Sequence, residues 1–469
     1  MDTTLISLCL LTFFALYVWI GWRASKGQKS SDDYFLMGRQ LTFFPLCMTL
    51  LATQVGGGSF IGAAEEAYCC GWGVMIYPLG SALGLSLLGM GFGAKLREMD
   101  ISTTAEVFEK TYSSPLLRQV ASLLSIVSLY AALVGQGIAA RKLLFSLGIE
   151  ADYLFILFWI AFVAYTTMGG LKAVVETDLL QALLILAAVA VLALSIDLFS
   201  PAHFSADDAL MGSGSPFSFL KISWFLMPLL FMLVEQDMGQ RCFAAKRSRA
   251  IAPAAVCASL LIFACGALAV SMGVLARGMD LAPGNGATVL VTAVSALATP
   301  WVSTFFIAAI FMAIASTADS LLCSIGSNIT YDFLLRNKRL QRGGVAQSRW
   351  TTLLTGLSAL ILVYLLDNVL NALIMGYALC VSTLLVPVVA AALSSRPSRS
   401  GAILALISGG TAFLIVQAVE LSLSGDGVPL IDLLPLAIST LGYLLGAKCF
   451  AKLPAKESKG ISPMEVQVG

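Results

Sequence analysis

The chain has 469 residues, of which 58% are hydrophobic and only 12% charged, and its mean hydropathy is +0.89. Soluble domains carry roughly 25% charged residues, so this composition excludes a soluble globular protein. The net charge of +1 gives no reason to expect a nucleic-acid partner. Apolar stretches recur from end to end of the chain. Inside a bilayer the main-chain N–H and C=O groups of each stretch must form hydrogen bonds within the protein. We therefore expect an all-α integral membrane protein, with residues 1–469 forming a single transmembrane domain.

The hydropathy pattern predicts about thirteen transmembrane helices. In chain order they fall at 3–22, 41–66, 72–94, 117–145, 152–168, 171–198, 219–240, 251–277, 302–332, 350–367, 369–394, 400–421 and 428–449. A weaker helix near 286–298 is expected outside the membrane, because Pro300 ends it. With these spans, all but four of the 28 Lys and Arg residues fall on one side of the membrane. Positive loops stay cytoplasmic, so we expect the N-terminus outside and the C-terminal tail, 450–469, inside.

Two of these spans contain polar or glycine-rich interruptions. The second includes Gln54-Val55-Gly56-Gly57-Gly58-Ser59, and the seventh ends in Glu235-Gln236-Asp237-Met238-Gly239-Gln240. Three consecutive glycines weaken a helix and free its backbone to unwind. The breaks are five spans apart, as an inverted repeat of five plus five helices requires, and paired interruptions are typical of a transporter's binding site. Close helix packing of small residues is the alternative interpretation of the glycines.

The ninth span carries a stripe of small and hydroxyl-bearing residues. At the helical period it consists of Ala313, Ser316, Thr317, Ser320, Ser324 and Ser327. Such a stripe suits a hard monovalent cation, which needs several oxygen ligands. Main-chain carbonyls of Ala52 and Val55 in the unwound second span, with that of Ala313, would complete the shell. Hydrogen bonding to the preceding turn or to a neighbouring helix is the alternative.

Carboxylates within the spans support a functional interpretation. Asp178 lies in the sixth span and Asp319 in the ninth. Ionisable groups in a bilayer are costly, so they usually face a cavity or pair with another group. We expect these two to bind a cation or a proton, with pairing to an Arg or Lys as the alternative. Asp237 is expected to pair with the nearby Arg241.

Four segments resemble motifs of the sodium:solute symporter family, which carries sugars, proline, pantothenate, sialic acid, iodide and choline. They are Asp33-Tyr34-Phe35-Leu36-Met37-Gly38-Arg39; Tyr165-Thr166-Thr167-Met168-Gly169-Gly170-Leu171-Lys172-Ala173-Val174 with Thr177-Asp178; Gln240-Arg241 with Ala244-Ala245-Lys246; and Ser316-Thr317-Ala318-Asp319-Ser320. The resemblance implies a ten-helix inverted-repeat core at about 41–394. One helix, 3–22, would precede this core and two trailing helices, at about 400–449, would follow it.

The resemblance also implies ligands for the coupling ion, Na+. The family's main sodium site falls on Ala52, Val55, Ala313, Ser316 and Thr317, the positions that the stripe argument reaches. A second sodium site, present in only some members, would fall on Asp178, Ser316, Asp319 and Ser320.

The glycine run looks most like that of the choline branch. Where that branch has tryptophans, which hold a quaternary ammonium by cation–π attraction, this chain has Gln54 and Glu235. These side chains hydrogen-bond instead, so we expect a polar solute such as an amino acid, an amine or a related osmolyte. The expected pocket is formed by Gln54, Gly57, Ser59, Tyr77, Gln136 and Glu235. A packing role explains Tyr77 and Gln136 equally well.

The combined expectation is sodium-coupled symport of a small organic solute by alternating access, with no enzymatic step. The expected partners are the solute and the lipid of a bacterial inner membrane or a plasma membrane, and no obligate protein partner is indicated. A proton-coupled carrier that uses Asp178 or Asp319 is one alternative. A non-transporting membrane sensor on the same fold is the other.

Overall fold

The computed structural model describes residues 3–148, 152–196, 222–284, 287–336, 344–365, 369–422 and 433–449. These residues are predominantly helical, which confirms the predicted all-α class. The described part of the chain includes seven helical stretches that are long and apolar enough to cross a membrane. They are Gly58–Glu98, Pro115–Ser146, Asp152–Ser195, Ser248–Gly278, Pro300–Leu334, Leu373–Leu393 and Arg399–Val419. The number of thirteen spans stays a prediction, and the start of the last span and the tail 450–469 lie outside the described residues.

The α-helices of the first half are numbered in chain order. They are α1 Thr3–Ser25, α2 Ser31–Leu36, α3 Phe43–Gln54, α4 Ala63–Cys70, α5 Ile76–Leu87, α6 Gly93–Glu98, α7 Glu106–Tyr112, α8 Pro115–Ser146 and α9 Asp152–Ser195. The second half continues the numbering. Its helices are α10 Ile222–Phe231, α11 Gln236–Ala244, α12 Ile251–Gly278, α13 Val289–Leu297, α14 Pro300–Asn328, α15 Gly344–Val363, α16 Val369–Cys380, α17 Val386–Leu393, α18 Arg399–Ser422 and α19 Leu434–Cys449. The short helix α13 occurs where a weaker helix was predicted.

The predicted boundary between the fifth and sixth spans is a bend within α9. Gly170 has φ 55° and ψ −152°, a conformation that residues with a Cβ rarely adopt. A Cβ at this position would also lie 2.4 Å from the carbonyl oxygen of Tyr34. The Tyr34 hydroxyl donates to the carbonyl of Thr167 at 2.9 Å, so the residues before α3 are fixed against the bend.

Both predicted interruptions are breaks in the helical backbone. Helix α3 ends at Gln54, and the φ of −91° and ψ of 79° at the next residue, Val55, are not helical. Helical structure resumes at Gly58. In the seventh span the chain leaves α10 after Phe231, and α11 begins after Glu235, which is extended with ψ 127°. The polar residues after Glu235, predicted to end the seventh span, form the short and fully buried helix α11 beyond the break.

The hydroxyl-rich helix α14 lies at the centre of the bundle. Its apolar stretch is 94% buried, compared with 39% for the stretch that contains α9. The stripe therefore faces other helices and not lipid. After α14, a π-helical turn, Ile329–Leu334, carries Asp332 against α8. Arg118 Nε of α8 lies 2.6 Å from Asp332 Oδ1, and Asn328 donates to Ser125 Oγ of α8 at 3.0 Å.

Candidate functional site

A cavity lies between the two breaks. Five of the six predicted pocket residues line it, namely Gln54, Ser59, Tyr77, Gln136 and Glu235. The lining residues that were not predicted for the pocket include Thr53, Asp237, Thr317, Leu321, Leu373 and Tyr377.

Hydrogen bonds across the first break shape this cavity. The Gln54 side-chain amide donates to Glu235 Oε2 at 3.1 Å, which joins the first break to the second. Ser59 Oγ donates to the carbonyl of Gln54 at 2.8 Å. The main-chain N–H of Gly57 donates to Gln136 Oε1 at 2.7 Å, so α8 fixes the unwound backbone.

The structure places Gly57 differently from the prediction. A Cβ on Gly57 would lie 2.3 Å from Cβ of Ala139 on α8, and Gly57 does not line the cavity. Its neighbours Gly56 and Gly58 do. Within an unwound stretch the helical period no longer shows which residue faces inward, so the sequence does not indicate which of the three glycines faces the cavity.

Four of the five predicted main sodium ligands are joined by hydrogen bonds near the end of α3. Ser316 Oγ donates to the carbonyl oxygens of Ala52, at 2.8 Å, and Ala313, at 2.9 Å. Thr317 Oγ1 lies 3.1 Å from the Ala313 oxygen and 3.4 Å from the Ala52 oxygen. Both hydroxyls thus bond to the preceding turn of α14, which is the alternative interpretation of the stripe, and both also contact α3. Val55 is fully buried at the end of α3, and its ψ of 79° turns its carbonyl away from the helical direction.

Arg241, which is fully buried, contacts two residues of the predicted second site. Arg241 Nη2 lies 3.5 Å from Asp178 Oδ2 and also donates to Ser320 Oγ. Asp319 Oδ2 accepts a hydrogen bond from the Tyr165 hydroxyl at 2.5 Å. Asp178 is therefore paired with Arg241, which is the predicted alternative to binding a cation or a proton.

The expected pairing of Asp237 with Arg241 is wrong. Arg241 donates to the main-chain carbonyl of Asp237 at 3.0 Å, and its other nitrogens turn toward Thr49, Asp178 and Ser320. The Asp237 carboxylate instead accepts from the N–H of Met238 at 2.7 Å and lines the cavity. Four residues of separation on a short helix favoured a local pair, whereas the actual partners come from helices distant in the chain.

Comparisons with known proteins agree with this architecture. The sodium:solute symporter family model matches residues 34–409. The sodium/pantothenate symporter of Escherichia coli (strain K12) is 25% identical over 488 residues, which cover 95% of this chain and 96% of that relative. The sodium/glucose cotransporter of Vibrio parahaemolyticus is 33% identical over 181 residues, or 36% of this chain and 33% of that relative.

A solved structure is similar over nearly the whole chain. It is a substrate-bound, outward-open state of a Na+-coupled sialic acid symporter, with a TM-score of 0.75 and 17% sequence identity, covering 94% of this chain and 97% of that chain. This likeness concerns the fold. The nearer resemblance to choline carriers is not confirmed. Because the family model spans most of the sequence, the chain is a multi-pass integral membrane protein that belongs to the sodium:solute symporter family.

Proposed function

We propose that this protein couples sodium entry to the uptake of a small organic solute by alternating access, with its N-terminus outside and its C-terminus in the cytoplasm. The observation that carries the proposal is the contact of Ser316 and Thr317 with the carbonyl of Ala52 at the break that ends α3. Thr317 also lines the cavity, so the ion and solute sites share a wall.

The main sodium site in this proposal consists of three carbonyls, from Ala52, Val55 and Ala313, and the hydroxyls of Ser316 and Thr317. These are neutral oxygen donors, and three of them belong to main chain that is fixed by the fold. An ion bound here would join the broken α3 to the buried α14 and stabilise the cavity in its binding form. One charge moving down 100 mV supplies about 2.3 kcal/mol, which concentrates a solute roughly fiftyfold.

At the second predicted site we propose that the Arg241 guanidinium supplies the positive charge in place of a sodium ion. Solute transport is then coupled to one sodium ion, bound at the main site. Its contacts to Asp178 and Ser320 use two of the four predicted ligands, and Ser316 belongs to the main site. Sodium-dependent uptake is then expected to follow a hyperbolic curve. A sigmoidal curve that becomes hyperbolic in Asp319→Asn would contradict this and restore a second ion to the site.

Replacing Ser316 or Thr317 by alanine is expected to raise the sodium concentration for half-maximal uptake by about tenfold or more, because one buried oxygen ligand is lost. The measurement is uptake by proteoliposomes at varied sodium. Thr304→Ala is a matched control, since the Thr304 hydroxyl on the same helix donates only to the carbonyl of Pro300, at 2.8 Å. An unchanged sodium requirement in both test variants would remove these residues from the site.

Counterflow in proteoliposomes tests the coupling ion itself. Exchange that requires sodium and does not respond to a pH gradient is expected. Exchange that continues in potassium and follows the pH gradient would favour the proton-coupled alternative. Binding without any exchange would favour a non-transporting sensor.

A further inference from the structure

The cavity contains two carboxylates, Glu235 and Asp237, on either side of the start of α11. They are 5% and 1% exposed, and both line the cavity. Glu235 accepts one hydrogen bond, from Gln54 at 3.1 Å. Asp237 Oδ2 has no hydrogen-bond donor, although the residue is almost completely buried. A buried carboxylate oxygen without a donor is costly, so this atom is available to a ligand that donates.

In the part of the chain that the structure describes, neither of these carboxylates forms an ion pair with a basic side chain. Arg241 is near enough to attract both carboxylates and donates to the main-chain oxygen of Asp237. Its side-chain contacts, however, are to Thr49, Asp178 and Ser320. The two carboxyl groups also lie beside each other. Neighbouring carboxylates in a buried site require a proton or a cation between them.

The two carboxylates in its lining make this cavity unfavourable for an anion. Backbone N–H groups at the start of the helical run after the α3 break would normally attract a carboxylate or phosphate. Here the N–H of Gly57 is already bonded to Gln136 Oε1 at 2.7 Å. A solute carboxylate would also lie close to Glu235 and Asp237, which repel it.

Aromatic rings form a further part of the wall. Tyr77 and Tyr377 both line the cavity, and the Tyr377 ring stacks on Phe231 with centroids 4.3 Å apart. Aromatic faces attract cations, whereas carboxylate and amide oxygens need N–H donors. The combination favours an ammonium group that still carries hydrogens over a quaternary ammonium.

We propose that the transported solute is a small primary or secondary amine without a carboxylate, whose ammonium group donates to Asp237 and Glu235. This inference rests on the proposed sodium-coupled transport and names its substrate class. Gln54 fixes Glu235 for this contact, and the tyrosines cover the carbon chain next to the nitrogen.

The test is a thermal-shift measurement on the purified full-length protein, in sodium and in potassium. The probes are ethanolamine and putrescine as amines, choline as a quaternary cation, proline as a zwitterion, glucose as a neutral solute and pantothenate as an anion. Stabilisation by an amine in sodium, with no effect of pantothenate, proline or glucose, is expected. Stabilisation by any of those three, or by neither amine, would overturn the proposed substrate class.

Two near-isosteric variants locate the ammonium group. Glu235→Gln and Asp237→Asn are each expected to weaken amine binding by about tenfold or more, because a charge-assisted hydrogen bond is lost. The change in unfolding temperature that sodium alone produces should be the same as in the unmodified protein, which shows that the variants are folded. Glu98→Gln, at an exposed carboxylate, is the matched control and should bind like the unmodified protein. Full amine binding in both test variants would mean that a proton neutralises the pair and would overturn the assignment.

The two proposals fail in different ways. Amine stabilisation that is equal in sodium and potassium would contradict sodium coupling while supporting the amine site. Sodium-dependent stabilisation by glucose or pantothenate would support sodium coupling and overturn the amine site.

Discussion

Arg241→Met is expected to destabilise the protein by about 3–5 kcal/mol, because removing one partner of a buried ion pair leaves the other charge uncompensated. The charge left behind is Asp178, which is fully buried and has one oxygen without any partner. Thr49 and Ser320 would also lose their bonds to the guanidinium. Thermal unfolding of the detergent-purified variant, followed by intrinsic fluorescence, measures the effect.

Arg23→Met provides a matched control for this prediction. Arg23 lies 3.5 Å from Glu176, the same distance as in the buried pair, but its side chain is 58% exposed. Exposed pairs contribute about 0–1 kcal/mol, so this variant should unfold close to the unmodified protein. The double variant Arg241→Met/Asp178→Asn should regain part of the lost stability. Equal unfolding temperatures for Arg241→Met and Arg23→Met would contradict a structural role for the buried pair.

Gly170→Ala is expected to have the second large effect. The backbone conformation at this bend costs about 1–3 kcal/mol for a residue with a Cβ. The new methyl group would in addition lie 2.4 Å from the main-chain oxygen of Tyr34, which cannot move without displacing α2. We expect a lower unfolding temperature and less folded protein in membranes, measured by thermal unfolding and by size-exclusion chromatography of a fluorescent fusion.

Gly27→Ala separates the two contributions to this effect. Gly27 also has a positive φ, of 86°, but a Cβ there would meet nothing within 4 Å. This variant should therefore lose only the backbone contribution. If Gly170→Ala and Gly27→Ala are destabilised equally, the close approach of Tyr34 is not important for stability.

Sequence periodicity was sufficient for features that depend on one helix at a time. The apolar stretches indicated the helices, three glycines indicated the first break, and the spacing of Ser316 and Thr317 placed both hydroxyls on one face. The structure brings that face against the carbonyl of Ala52.

Features that depend on several helices were harder to predict. The side-chain partners of Arg241 are 63, 79 and 192 positions away in the chain, so a local pair with Asp237 was the natural but wrong choice. Tyr377 lies in an apolar span with no polar face to show which side is inward, and its place in the cavity wall was missed. In each case the information lies in how helices pack, which a single sequence does not specify.

The contacts between α8 and α14 have a consequence for the transport cycle. Arg118 and Ser125 of α8 hold Asp332 and Asn328 at the far end of α14. Sliding one helix past the other would break a buried ion pair, so we infer that the two move as a single rigid body. We infer that the cavity opens and closes through the interrupted helices around them, which contain non-helical residues on each side of the cavity.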